Sequence, residues 1–298
     1  MFKQPLTFYS QLHVTEQAKR QYVFRDRAIA GVKHLVLSDD TMAAFTNNLN
    51  LIPAVQKEMA QEGLDFVDAH AIFDRYNDLN CPNPELFPAM IEMHKHEMEI
   101  CAMLGVKTIC IHTGNNAWPQ NGVYSPAPDS EVTHCIDRIK RALDALLPTA
   151  ERLGVIICIE NIWHEINTPE RLLEIKQAFP TDALGFCYDS GHANLMRKDR
   201  GEKDCAPKNA WAALGKPVPW DEHILDKMLE HVTIVHLHGN NGLYDLHRLP
   251  DDSDIDWKDI CAKLHKAPRL VSLQCEVIPQ KCMRAMSEVV QAFDRVLD

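Results

Sequence analysis

Short apolar, β-branched runs alternate along this chain with longer stretches whose apolar residues recur every three or four positions. Eight runs read as strands: LTFYS (6–10), KHLVLS (33–38), DFVDAHA (65–71), KTICIHTG (107–114), VIICIEN (155–161), LGFCYDS (184–190), VTIVHLHG (232–239) and RLVSLQCEV (269–277). Between them NLIPAVQKEMAQEGL, PELFPAMIEMHKHEMEICAMLG and SEVTHCIDRIKRALDALLPTAERLG read as amphipathic helices. Eight βα repeats in 298 residues point to an α/β chain closed into a (β/α)8 TIM barrel rather than an open doubly wound sheet. No linker, low-complexity tract or composition break interrupts the pattern, so one domain over 1–298 is expected. The longest non-periodic stretch, 195–220, follows the sixth strand and reads as an excursion over the barrel mouth. Its Trp211 and Trp220 would suit a cover that closes on ligand.

Composition narrows the picture only in part. With 46% hydrophobic and 24% charged residues the chain has ample material for a large core, and a homo-oligomer is compatible with it. The net charge of -11 disfavours nucleic acid held through many phosphate contacts, although it leaves room for a local basic groove. No run of about 18 apolar residues is present. The opening MFKQPLTFYSQLH lacks a signal-peptide layout, and no membrane partner and a cytoplasmic location are expected. The ten cysteines are scattered without a CxxC pair, so reduced thiols are expected.

The polar residues carry more information. His70, His112, Glu160, Asp189, His238 and Glu276 each fall at or near the C-terminal end of a strand, the end at which barrel enzymes build their sites. Loops add His192 after the sixth strand and Asp245 and His247 after the seventh. Burying so many acids and imidazoles is costly unless a cation compensates them, and these donors suit zinc, manganese or a related divalent ion. His236 and His238 are two apart and share a strand face; His238, nearer the mouth, is taken as the ligand and His236 as a residue behind it. Cys110, Cys158 and Cys187 lie two residues below His112, Glu160 and Asp189 and read as small core fillers, with a thiolate metal site as the alternative. His94 and His96 read as solvated helix surface, and His164 and Glu165 as a loop pair within reach of substrate. HTGNNAWPQNG and HGNNGLYDLHRLP are rich in amides and aromatics, which suits sugar hydroxyls and stacking; Trp118, Asn161, Asn240 and His236 are the expected substrate contacts.

ICIEN, CYDSGHAN, HLHGNNGLYDLH and LQCEV, in this order and spacing, resemble the xylose isomerase-like TIM barrel superfamily, with the likeness running from about residue 65 onward. That superfamily contains sugar isomerases and epimerases together with endonuclease IV-like apurinic-site nucleases. The epimerase branch implies one metal held at Glu160, Asp189, His238 and Glu276. The nuclease branch implies three zinc ions with further ligands at His70, His112, His192, Asp245 and His247. The epimerases' substrate-binding Arg, six residues past the metal His, is replaced here by Tyr244, and RLPDDSDIDW replaces their Pro-Gly turn.

Two chemistries follow. An isomerase or epimerase would chelate a sugar carbonyl and its neighbouring hydroxyl on the metal and form an enediolate, with Glu160 and Glu276 moving the proton and His192 polarising the substrate oxygen. A phosphodiesterase would use the same residues as ligands for one to three ions. The acidic charge and the lack of Lys/Arg clusters in the loops after strands three, four and seven favour the carbohydrate enzyme. A barrel that only binds a metal or small molecule is the third reading.

Overall fold

The computed structural model describes residues 2–120 and 123–297. Strands β1 (Leu6–Phe8), β2 (His34–Leu37), β3 (Asp65–His70), β4 (Thr108–Cys110), β7 (Ile156–Glu160), β8 (Leu184–Asp189), β9 (Val232–Leu237) and β10 (Ser272–Cys275) form a closed parallel barrel in that order. β10 returns to β1 through the pairing Leu273 with Leu6. Each strand lies inside one of the eight expected runs. β5 (Ala117–Gln120) and β6 (Val123–Pro126) form an antiparallel hairpin outside the barrel, which the strand count did not foresee. The sequence carried a signal for it: Asn-Gly at 121–122, outside the described residues, separates two short runs, and that dipeptide favours tight hairpins.

Helices cover the outside of the sheet, so the strands are apolar on both faces; β8 and β9 are buried at every position. The longest helix, Val132–Leu153, buries Val132, Cys135, Ile136, Ile139, Leu143, Leu146 and Ala150, a three-four spacing that turns one stripe to the sheet. It stops at Gly154, whose φ of 65° is the left-handed conformation that a residue without Cβ adopts freely. Inside the barrel, Cys110, Cys158, Cys187 and Ile234 form a cluster separate from the main core. Below it on the closing side, Asp68 accepts from Thr7 Oγ1 at 3.0 Å and Ser272 Oγ at 2.7 Å, tying β1, β3 and β10 together. Burial pushes this carboxyl up to about 6 despite both hydrogen bonds.

One expectation needs correction. His94 is fully buried rather than solvated: Nδ1 lies 2.6 Å from Glu97 Oε2 and Nε2 donates to Asn77 O at 2.6 Å. Glu97 Oε1 in turn accepts from Ile72 N at 2.8 Å, so the pair anchors the loop that leaves β3 toward the barrel mouth. The stretch 195–220 contains a 3-10 turn, Lys198–Glu202, and a helix, Ala206–Ala213, and it is pinned to the body. Buried Arg200 reaches Asp254 Oδ2 at 2.6 Å, and Trp211 Nε1 donates to Trp163 O at 2.8 Å.

His94→Ala strands a buried Glu97, and loss of one partner of such a pair costs about 3 kcal/mol. Urea unfolding should therefore show a large drop in stability; a loss within about 0.5 kcal/mol, the range of a neutral surface change, would contradict the buried-pair assignment.

Candidate metal centre

The ends of the strands raise six imidazoles and four carboxylates around one cavity of about 250 Å³, whose wall includes His70, His112, Glu160, His192, His236, Asp245, His247 and Glu276. Asp189 and His238 stand just behind that wall. The donors fall into overlapping groups. On one flank His112 Nε2 lies 3.1 Å from Glu160 Oε2, with the His70 ring edge-on to His112 at 4.8 Å. In the middle His236 Nδ1 lies 3.2 Å from both Glu160 Oε1 and Glu276 Oε1 and 4.0 Å from Asp189 Oδ2. On the other flank Asp245 Oδ2 meets His247 Nε2 at 3.0 Å and His192 Nε2 at 3.5 Å.

Both His236 and His238 belong to candidate ligand groups, but His236, expected behind the ligand, is the one that reaches both glutamates. β9 ends at Leu237, so His236 is the last inward residue of the ladder and sits between the two glutamates. His238 lies beyond the strand, where the chain is drawn aside by the bridge between Gly239 and Arg248. Its Nε2 lies 3.1 Å from Asp189 Oδ2, and its ring stacks on His247 at 4.0 Å. Gly191 makes room for that ring: a Cβ there would lie 2.0 Å from His238 Cε1.

Backbone carbonyls set the orientation of the imidazoles. Nδ1 donates to Ala71 O in His70, to Asn161 O in His192 and to Glu276 O in His247, at 2.9, 2.9 and 3.0 Å. A neutral ring held this way turns an Nε2 lone pair away from the carbonyl, the arrangement typical of metal-binding histidines. Ser190 Oγ accepts from His238 N and lies 3.1 Å from the carbonyls of His236 and His238, locking the turn at the end of β9. Asp189 Oδ1 caps the following short helix by accepting from His192 N at 2.6 Å.

Electrostatics reflect the crowding. Burial alone would raise the Glu160 carboxyl, but His236, His112 and His192 hold it well below the usual range. Burial would lower His238, yet Asp189 and Asp245 push it up to about 9. His70 also rises to about 9: Cys110 and Glu276 outweigh its burial.

Three expected substrate contacts lie elsewhere. Asn161 spends its side chain on the backbone of Asp189, accepting from N at 2.8 Å and donating to O at 3.0 Å. Asn240 donates to Gly191 O at 2.8 Å and accepts from Asn194 and Gly242 N. Trp118 lies on the hairpin, away from the cavity, and donates to Asn115 O at 3.1 Å. Glu165 pairs with Lys216 at 2.6 Å, and His164 is buried beside Trp163. The cavity wall instead includes Tyr9, Phe73, Ile278 and Lys281, which the sequence reading passed over. Tyr9 directly follows β1 and donates to Asp39; strand-end logic applied to the first strand would have found it. Phe73 sits on a loop, tilted over His112 at 4.6 Å, with no periodic signal to mark it.

His164 supplies a pH test. Burial, with a contribution from His192, lowers it from 6.5 to about 3, so between those values the unfolded chain binds a proton that the folded chain refuses. Stability contributed by neutral His164 is therefore lost as pH falls below about 6.5. Relative to wild type, His164→Phe should gain stability on acidification, by up to about 1.4 kcal/mol per pH unit. Urea unfolding of chelator-treated protein at pH 7 and pH 4.5 checks this; an equal difference at both pH values would contradict it.

The model of the xylose isomerase-like TIM barrel family matches residues 31–292. A probable endonuclease 4 of Thermotoga maritima is 29% identical over 142 residues, covering 46% of this chain and 45% of that one. The chain spans about half the length of the curated relatives it matches. Among solved structures, a D-tagatose 3-epimerase-like protein superposes with a TM-score of 0.72 at 18% identity, covering 98% of this chain and 97% of that one. A xylose isomerase-like TIM barrel protein from Mycobacterium smegmatis, in complex with magnesium, superposes with a TM-score of 0.69 at 14% identity, covering 99% and 98%. At such identities the structural likeness speaks to the fold. No helix among the described residues is long and apolar enough to cross a membrane. The chain belongs to the xylose isomerase-like TIM barrel family.

Proposed function

We propose that the protein is a divalent-metal-dependent isomerase or epimerase acting on a sugar or sugar phosphate. The observation that carries this reading is the pairing of Glu160 and Glu276, each 3.2 Å from His236 Nδ1, in the wall of a cavity of small-ligand size. Two carboxylates facing one bound carbon skeleton are what a proton shift needs: one takes the proton, the other returns it. The superposition on a D-tagatose 3-epimerase-like protein supports the same choice.

The donor set fits a divalent ion. Three imidazoles have Nδ1 tied to backbone carbonyls, four carboxylates converge, and Lys281 is the one Lys or Arg among the described cavity-lining residues. Glu160, Asp189, His236 and Glu276 would hold the ion, with His70 and His112 on one side and His192, His238, Asp245 and His247 on the other offering room for a second and third. Mixed carboxylate and imidazole ligands suit zinc or manganese. When bound, such an ion polarises a carbonyl and its neighbouring hydroxyl and lowers the cost of negative charge on their oxygens.

The chain's own residues do the rest. Gln274 Nε2 donates to Glu276 Oε1 at 2.8 Å, fixing that carboxylate while leaving Oε2 to meet a proton on carbon. His112 and His236 hold the two oxygens of Glu160 from either side. His192, fixed through Nδ1 by Asn161, presents Nε2 to a substrate oxygen near Asp245. Phe73, over His70 and His112, closes the cavity with an apolar face that a sugar ring can stack on.

The relation to endonuclease 4 supports a second reading, a zinc-dependent phosphodiesterase, since ten imidazole and carboxylate donors in overlapping groups could serve more than one ion. Against it stand the single lysine of the wall and the small cavity, which offer little to a duplex backbone.

Metal-loaded protein incubated in heavy water with a panel of pentoses, hexoses and their phosphates should exchange one carbon-bound proton of its substrate, read by NMR. Glu276→Gln should slow that exchange at least about 100-fold, the low end for losing a positioned general base. No exchange across the panel, together with salt-sensitive cutting of an abasic-site duplex, would replace the isomerase by the nuclease.

A further inference from the structure

Directly beneath the cavity, Cys110 and Cys187 point into the barrel from β4 and β8 and meet Glu160 and His236. One ligand atom from each of these four residues lies within 4.8 Å of every other, and all four residues are buried. We propose that this throat is a second metal site of two sulfurs, one imidazole and one carboxylate, overlapping the position above through Glu160 and His236 and selective for a thiophilic ion of the zinc and cadmium type.

The spacing is that of a tetrahedral cage. Bonds of about 2.0–2.1 Å to nitrogen and oxygen and about 2.3 Å to sulfur give cage edges of roughly 3.3 to 3.8 Å. Cys110 Sγ lies 3.7 Å from Glu160 Oε2, so one edge already has that length. His236 Nε2 is buried without a hydrogen-bond partner among the described residues, a cost that a structure normally avoids. Cys158 lines the same apolar cluster but is not one of the four, so the grouping selects two of the three inward thiols rather than following from the layer as a whole.

Binding replaces the S–H bonds of both thiols and the ligating N–H bond of a charged His236 by bonds to the metal, and these three protons leave to solvent through the cavity above. Two thiolates and one carboxylate then face a doubly charged ion with a neutral imidazole, a donor set that magnesium and manganese do not favour. Because Glu160 and His236 also face the open cavity, an ion in the throat withdraws them from it. Thiophilic ions should thus compete with any ion held above, whatever substrate the cavity takes.

The test uses the full chain, stripped with chelator and kept reduced with a phosphine, and titrated with cadmium alone. The expected result is a sulfur-to-cadmium charge-transfer band in the ultraviolet that Cys110→Ser and Cys187→Ser each weaken, the double variant loses and Cys158→Ser retains. Absence of the band in saturated wild type, or its survival in the double variant, overturns the site. Should the serine variants not fold, X-ray absorption at the cadmium edge of the wild type decides: two sulfur neighbours support the proposal, and a shell of oxygen and nitrogen alone defeats it.

Discussion

Four carboxylates held out of bulk water within a few ångströms of one another are the constraint on which the rest of this structure depends. Glu160, Asp189, Asp245 and Glu276 repel one another, and no arginine offsets them among the described residues of the cavity wall. In a poorly polarisable surrounding that repulsion is expensive, so the fold has to supply positive charge or a cation in the same volume. His70, His112, His192, His236 and His238 do so by rising in pKa, and they could give up that charge to an ion. Histidine is suited to the exchange because its neutral form is itself a ligand.

The barrel makes this crowding affordable through rigidity. Closure through β1 and β10 leaves no free edge, and the Thr7–Asp68–Ser272 contact ties the closing strands below the site. Above it, side chains that look available for substrate are committed to the backbone: Asn161 clamps Asp189, Ser190 clamps the end of β9, and Asn240 clamps Gly191. The donors therefore stand on strand ends and on a backbone that cannot easily relax to separate them. A preorganised set of this kind is what metal-assisted proton transfer requires.

The fold was legible because strand and helix periods differ, and because a parallel barrel forces every strand to be apolar except at its mouth. That rule also identified the acids and imidazoles of strands three to eight as neighbours. It failed where the answer depended on the last residue of a strand. Alternation puts His236 and His238 on one face, but only the end of β9 at Leu237 and the bend at Gly239 decide which ring reaches Glu276. Loop composition says nothing of where an amide or indole is spent, and the side chains of Trp118, Asn161 and Asn240 bond to backbone outside the cavity wall. His94 was misread because helix surface was judged from its own spacing, while its i,i+3 partner Glu97 marked a buried pair.

The central claim is that His236, lodged between Glu160 and Glu276, belongs to the principal metal position, and anomalous diffraction from metal-loaded crystals tests it most directly. The account expects an ion bounded by Glu160, Asp189, His236 and Glu276. A cavity without anomalous signal at saturating metal, or an ion held by His238 in place of His236, would contradict it.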